Sequence, residues 1–361
     1  LPVKKYNVGI VGATGMVGQR FVTLLSGHPW FNVTHLSASA NSEGKPYAQA
    51  VQGRWVFDSP VPENVAGMRV FNAFDIKTAK ERTDFVFCAL SLDKEQTKAL
   101  EEAYAKAEIP VISNNSAHRA TPDVPMLIPE VNPHHCGVIP AQRERLGTKY
   151  GFIAVKPNCS IQTYVPALHP LLDFGVEQIA VCTYQAVSGA GRTLQGWPEM
   201  RDNVIPFISG EEQKSEREPL KVWGGVTGGA IADAQKPLIT AQCVRVPVSD
   251  GHMAAVFVRF TKKPEKDIIK QRWSGFTGEP QSLKLPSAPE RFLVYFDEDS
   301  RPQTRLDRDL GNGMTVSIGR LREDSMFDYK FVCLSHNTLR GAAGGGVLAA
   351  ELLAAKGYFD R

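Results

Sequence analysis

Residues 6–18 read "YNVGIVGATGMVG". The first half is a short apolar run that ends in glycine. The second half places Gly12, Gly15 and Gly18 three apart, directly before "GMVGQRFVTLLSGHP" (15–29). There Met16, Val17, Phe21, Leu24 and Leu25 fall at helical spacing, and Gly27 and Pro29 close the stretch. A strand, a glycine turn and a helix in this order form a phosphate cradle. The glycines let backbone come close, and the helix start leaves N–H groups free for a pyrophosphate.

The pattern continues outward from this corner. "FNVTHLSAS" (31–39), "TDFVFCAL" (83–90) and "IPVISNNS" (109–116) read as strands. "DKEQTKALEEAYAKAE" (93–108) reads as a charged surface helix with Asp93 as its N-cap. Alternating strands and helices imply a Rossmann-type, doubly wound parallel sheet, so the fold class is α/β. After about residue 155 the pattern changes. "EQIAVCTYQAVS" (177–188), "AQCVRVPV" (241–248), "HMAAVFVRF" (252–260) and "DYKFVCLSH" (328–336) are strands without regular helices between them. They predict a second, α+β domain with a mixed or antiparallel sheet. The stretch 211–222 is predicted helical, 277–309 an extended excursion, and 337–360 an apolar helix with small residues near its start.

The chain has 361 residues, enough for two domains. Its net charge of +3 argues for neither nucleic acid nor a membrane surface as partner. No apolar run approaches the roughly 18–20 residues of a bilayer span. "LPVKKYNVGIVG" lacks a signal-peptide pattern, so the expected location is cytoplasmic. The six cysteines form no CxxC pair, which excludes the usual zinc and disulfide frameworks. Cys88, Cys182 and Cys333 lie in apolar strand-like runs and read as buried packing residues.

Cys159, in "KPNCSIQ" (156–162), is different. It follows a turn and precedes Ile161, Val165, Leu168 and Leu172 on one helical face, with Pro166 and Pro170 expected to kink or shorten that helix. A thiol at a helix N-terminus is biased toward thiolate, which attacks acyl carbon and leaves a thioester that can accept hydride from a nicotinamide. A quiet packing cysteine is the competing reading. Among the eight histidines, His252 opens a predicted strand seven residues after Arg245, so the two can face one pocket. His134 and His135 are adjacent and lack carboxylates at ligand spacing, so no metal is predicted. The ribose end of the cofactor site is predicted from "LSASANSEGK" (36–45). Ser37, Ser39, Ser42 and Lys45 suit a 2′-phosphate, which points to NADP over NAD, against the alternative of a plain polar surface loop.

Together these stretches resemble the aspartate-semialdehyde dehydrogenase family, in its fungal and archaeal branch. The resemblance runs end to end through "GATGMVG" (12–18), "SNNSAHR" (113–119), "VPMLIPEVNPHH" (124–135), "KPNCS" (156–160), "QAVSGAGR" (185–192), "RVPVSDGH" (245–252), "GEPQSLKLPSAP" (278–289) and "TLRGAAGGG" (338–346). It implies NADPH-dependent reduction of β-aspartyl phosphate to aspartate semialdehyde with release of phosphate, feeding lysine, threonine and methionine synthesis. It casts Cys159 as nucleophile, His252 as the general acid/base that protonates the collapsing thiohemiacetal, and Gln185 as the residue orienting the acyl group. Arg245 would clamp the substrate carboxylate. Glu212, with Glu211 as the alternative, would meet the amine. Arg119 and Lys214 would hold phosphate. The implied cofactor contacts are Gly12, Thr14, Gly15, Met16, Val17, Gly18, Ser37, Ser39, Ser42, Ser91, Gly189 and Asn337.

The resemblance further implies a nucleotide domain of residues 1–156 plus 337–361 and a catalytic and dimerisation domain of 157–336, the latter like that of glyceraldehyde-3-phosphate dehydrogenase, in a homodimer or homotetramer. The chain departs from the family at Asn41, where an arginine is common, and in the wording of 113–118. The rival readings are an acyl-CoA reductase of the malonyl-CoA reductase type, and a cofactor-binding regulator without chemistry.

Overall fold

In this computed structural model, residues 5–360 are described; residues 1–4 and 361, including the start of the stretch read above for targeting signals, lie outside them. The strand predicted from 6–12 is β1 (Tyr6–Val11), and the glycine turn leads into α1 (Met16–Leu25). Val8, Ile10 and Val11 are fully buried, as expected for a strand covered on both faces of a parallel sheet. It is joined by β2 (Phe31–Ala38), β3 (Val70–Asn72), β4 (Phe85–Cys88), β5 (Val111–Ser113) and β6 (Ile153–Val155). The order is β3-β2-β1-β4-β5-β6, with parallel pairing throughout. The strand order reverses between β1 and β4, and a crevice at such a point, beyond the carboxyl ends of the strands, is where doubly wound sheets bind ligands. The charged helix is α2 (Lys94–Lys106), and the Asp93 side chain does accept from Gln96 N.

The second half is a six-stranded mixed sheet. It contains β7 (Val176–Gln185), β10 (Leu238–Arg245), β11 (His252–Phe260), β12 (Leu293–Phe296), β13 (Val316–Glu323) and β14 (Tyr329–Ser335). A small hairpin, β8 (Gly225–Thr227) with β9 (Ala230–Ala232), lies apart. The order is β10-β7-β11-β14-β13-β12; β10–β7 and β12–β13 are parallel and the remaining pairs antiparallel. Strand β11 alternates buried and half-exposed residues, so one face enters the core under α3 (Ile161–Leu168) and the other is open in the single chain. As expected, Pro166 lies inside a short α3, which tightens into a 3₁₀ turn from His169. The helix read at 211–222 is α4 (Glu211–Val222).

Two expectations are corrected. The excursion at 277–309 contains β12 and several short helical turns, because Leu293 pairs in register with Val316 and caps the sheet edge. The C-terminal helix, α5, covers only Ala343–Ala355. Residues 337–342 are instead a turn, and it has work at the site: a side chain on Gly341 would lie 2.8 Å from Cys159 Cβ. The small residues at the start of α5 have a packing reason. A Cβ on Gly346 would meet the Phe21 ring at 3.0 Å, and one on Gly344 would meet Met314 Sδ at 2.7 Å, so α5 lies close on α1 and on the turn that leads into β13.

Candidate active site

The cysteine turn joins β6 to α3 at the junction of the two sheets. Asn158 shapes it: its side-chain oxygen accepts from Ser160 N (2.8 Å) and Ser160 Oγ (2.6 Å). Its side-chain nitrogen donates to both Glu211 oxygens at 3.0 Å, and its backbone N donates to Glu218 at 2.5 Å. The loop is thus pinned to α4 by two carboxylates. Cys159 Sγ lies 3.4 Å from His252 Nε2, at the first residue of β11. Ala186 N donates to His252 Nδ1 at 3.1 Å. A backbone N–H can only donate, so Nδ1 is the acceptor and the neutral ring carries its proton on Nε2, facing the sulfur.

Charge around this pair is dense. Arg245 is buried and donates to Ala186 O at 2.7 Å, and a side chain on Gly189 would collide with both Arg245 and His252. Gln185 Nε2 donates to Glu211 at 3.2 Å, and Lys214 Nζ donates to Glu211 at 2.8 Å. Arg119 pairs with Glu218 at 2.9 Å, while its Nε is buried without a partner. Arg119, Lys214 and Glu218 line one side of a cleft of about 550 Å³, which Lys94 and Arg217 also border. Burial raises the Glu211 carboxyl, but Lys214 and the donors Gln185 and Asn158 outweigh it and hold the group below the usual range. Burial, with Arg245 next, holds His252 well below the usual imidazole range, so it is neutral.

The sequence expectation for the thiol is corrected. Cys159 precedes the helix by two residues, and burial, with the Glu211 charge adding to it, pushes its thiol up. Lys156, Arg119 and Arg245 pull the other way. Lys156 went unremarked in the sequence. It is buried with 3% exposure, donates to Pro157 O, and is lowered to about 7 by burial and then Arg119. Glu218 was missed as well; nothing in a charged helix marks which of its glutamates turn inward. Glu212, preferred over Glu211, is corrected too. It lies outside the site and accepts from Gln242 Nε2 (2.8 Å) and Cys243 N (3.3 Å) on β10, whereas Glu211 faces the cysteine turn. Cys88 and Cys333 are buried as read, but Cys182 is half-exposed on the open face of β7.

At the glycine turn, Gly12 has φ of +91° and lies against Ala89, where a Cβ would approach the carbonyl oxygen to 2.6 Å. A Cβ on Gly18 would collide with the Gly12 carbonyl. On Gly15 a Cβ would find nothing nearer than 3.7 Å, so that side is open. The N-cap of α1 is Gly15, without a side-chain cap, and Thr14, Met16 and Val17 are half-buried around it. This uncapped helix start beside an open glycine fits a dinucleotide pyrophosphate. The polar atoms of Asn114 are buried without partners at the crevice end of β5. Exposed Ser91 borders a neighbouring cleft of about 250 Å³. Asn337 is a brace: it accepts from Gly251 N and donates to Ser188 Oγ, each at 2.8 Å. Ser37 is corrected: it is fully buried and serves the turn through its carbonyl, which accepts from Gly12 N and Ala13 N. Ser39 is exposed at the N-cap of the 40–42 turn, and Ser42 is buried within it. Among the described residues no cluster of His, Cys, Asp and Glu is arranged to hold a metal.

Residues 7–139 match the family model for the semialdehyde dehydrogenase NAD-binding domain, and 168–340 match that for the semialdehyde dehydrogenase dimerisation domain. The aspartate-semialdehyde dehydrogenase of Archaeoglobus fulgidus is 43% identical over 97% of this chain and 98% of its own. The chain belongs to the aspartate-semialdehyde dehydrogenase family. A family member from Aspergillus fumigatus is 43% identical over 98% of both chains. The crystal structure of the Candida albicans aspartate-semialdehyde dehydrogenase with NADP superposes with a TM-score of 0.88, at 38% identity, covering 98% of this chain and 100% of that one. The Vibrio cholerae aspartate-semialdehyde dehydrogenase II complexed with ASA gives 0.74 at 27% identity, covering 98% and 99%.

Proposed function

We propose that this chain is an NADP-dependent aspartate-semialdehyde dehydrogenase, reducing L-aspartyl-4-phosphate to L-aspartate 4-semialdehyde through a thioester on Cys159. The observation that carries the reading is Cys159 Sγ at 3.4 Å from a His252 whose proton is fixed on the nitrogen facing it.

Arg245 takes the substrate α-carboxylate, for which its planar fork is matched, and Glu211 takes the amine. Arg119 and Lys214 hold the phosphate on the cleft side. The Cys159 thiolate attacks the acyl carbon, with Lys156, Arg119 and Arg245 favouring the ionised sulfur and the His252 N–H donating to it. Arg119 and Lys214 offset the charge of the departing phosphate; removing one such donor costs about 10²- to 10³-fold in rate. Gly12, Thr14, Gly15, Met16, Val17 and Gly18 would hold NADPH at the glycine turn, with Ser91, Gly189 and Asn337 bordering it, and when bound it would supply the hydride that reduces the thioester. His252 then donates its Nε2 proton to the oxygen as charge builds there, and takes it back when the carbon–sulfur bond breaks. Gln185, anchored on Glu211, orients the acyl group.

We also assign residues 1–156 and 337–361 to the nucleotide domain and 157–336 to the catalytic one. The second sheet's open face, with Tyr184 on β7 exposed, supports assembly through it into a homodimer or homotetramer. Among the described residues no helix is long and apolar enough to cross a membrane, and a cytoplasmic location is consistent with that. The test is oxidation of the semialdehyde with NADP. Phosphate-dependent turnover supports the reading, and turnover that needs CoA instead sinks it.

A further inference from the structure

The loop after β2 carries Asn41, where the resemblance leads one to expect an arginine, and the fold brings a guanidinium to that loop from further along the chain. Two side chains lay the segment 47–56 against the glycine turn. Tyr47 OH donates to Ala13 O at 2.9 Å. Gln19 Nε2 donates both to Thr14 O (3.0 Å) and to Arg54 O (2.9 Å), and Gln19 Oε1 accepts from Val56 N at 3.0 Å. One glutamine therefore spans from the cofactor turn to the backbone of Arg54. The Arg54 side chain then runs back to the 40–42 turn, donating to Ala50 O and, at 3.5 Å, to Ser42 Oγ. Lys45 reaches the same turn from its other side and donates to Asn41 O at 2.8 Å. The one carboxylate of the loop, Glu43, is turned away and accepts from Asn72 at 2.9 Å. Among the described residues Arg54 has no carboxylate partner, and its side chain is exposed.

We propose that Arg54 is the residue that selects NADP: its guanidinium, with Lys45 and the hydroxyls of Ser39 and Ser42, receives the 2′-phosphate of the adenosine ribose. The inference rests on the reading that the dinucleotide lies on the glycine turn. An arginine fork binds a phosphate with charge-assisted hydrogen bonds, and its present partners, a carbonyl and a hydroxyl, are weaker than a dianion. The position is far in sequence from the loop it serves, so the loop alone looks one cation short.

The test is calorimetric titration of the intact protein with 2′,5′-ADP, which carries the 2′-phosphate, and with 5′-ADP, which lacks it. The unaltered chain prefers 2′,5′-ADP. Arg54→Gln lowers affinity for 2′,5′-ADP by about 10- to 100-fold, the scale of losing a charged hydrogen-bond pair, and leaves 5′-ADP unchanged. Adding Asn41→Arg to Arg54→Gln restores the preference. Because Arg54 is exposed, the variant keeps the melting temperature of the parent. A 2′,5′-ADP affinity within twofold of the parent in Arg54→Gln overturns the assignment, as does a loss seen only with Lys45→Met. If the unaltered chain binds neither nucleotide, the dinucleotide reading itself has failed, and not Arg54 alone.

Discussion

The glycine turn at 12–18 and the cysteine turn at 156–160 are both strand–turn–helix corners, and they are built from opposite materials. The glycine turn is made of backbone. Gly12 and Gly18 remove atoms that would collide, and the helix start carries no side-chain cap. The cysteine turn is made of side chains. Asn158 and Ser160 shape it, Lys156 starts it, and Glu211 and Glu218 of α4 and His252 of β11 surround it from elsewhere in the chain. A backbone site needs only space and free N–H groups, whereas a side-chain site must balance buried charge.

Breaking the cysteine turn gives the largest effect. Cys159→Ser should lower turnover by more than about 10³-fold, since the hydroxyl is a far weaker nucleophile near neutral pH. Nucleotide binding, followed by calorimetry, should not change, because the two turns are separate. Ordinary turnover in that variant would remove the nucleophile from the account.

The next effect sharpens the contrast inside one helix. Glu211→Gln should reduce kcat/KM by roughly 100-fold, as a buried charged hydrogen bond to substrate is lost. Glu212→Gln should stay within about threefold, since Glu212 serves β10. Steady-state rates with both variants decide it, and equal losses would contradict the geometry.

Breaking the glycine turn should act on binding and stability and not on chemistry. Gly18→Ala forces a methyl onto the Gly12 carbonyl and should destabilise the fold by about 1–3 kcal/mol while weakening nucleotide binding. Chemical denaturation measures the first. An unchanged midpoint would mean that the close approach is not required.

The last effect reports the charge balance. Lys156 is depressed to about 7 in the folded chain, against roughly 10.4 when unfolded. The unfolded chain therefore binds more protons between those values, and stability rises with pH from about 7 to about 10. Lys156→Met should remove that rise in denaturation curves taken at pH 7 and pH 9.5. Parallel pH slopes in parent and variant would show that burial does not depress the amine.

What was legible in the sequence follows the same division. The spacing of Gly12, Gly15 and Gly18 is local, so both the turn and the sheet behind it could be read directly. Cys159 and His252 were found because each sits at the end of a periodic run. Glu212 was preferred to Glu211 because neighbouring glutamates on a helix start differ only in the direction each faces, and that is set by packing against Asn158 and Gln185. Ser37 was chosen by its distance along the chain from the glycines, but β2 is buried on both faces from His35 to Ala38, and Ser37 with it. Lys156, Glu218 and Arg54 act through partners up to 99 residues away, as with Arg119 and Glu218. No local pattern could mark them.

The account's central claim is that the sulfur of residue 159 carries the substrate's acyl group. Mixing the protein with semialdehyde and NADP in the absence of phosphate, quenching in acid and measuring peptide masses tests it directly. The account predicts an aspartyl adduct on the peptide containing Cys159 that disappears when phosphate is added before the quench. Formation of NADPH with that peptide unmodified, or with the adduct on another residue, would contradict it.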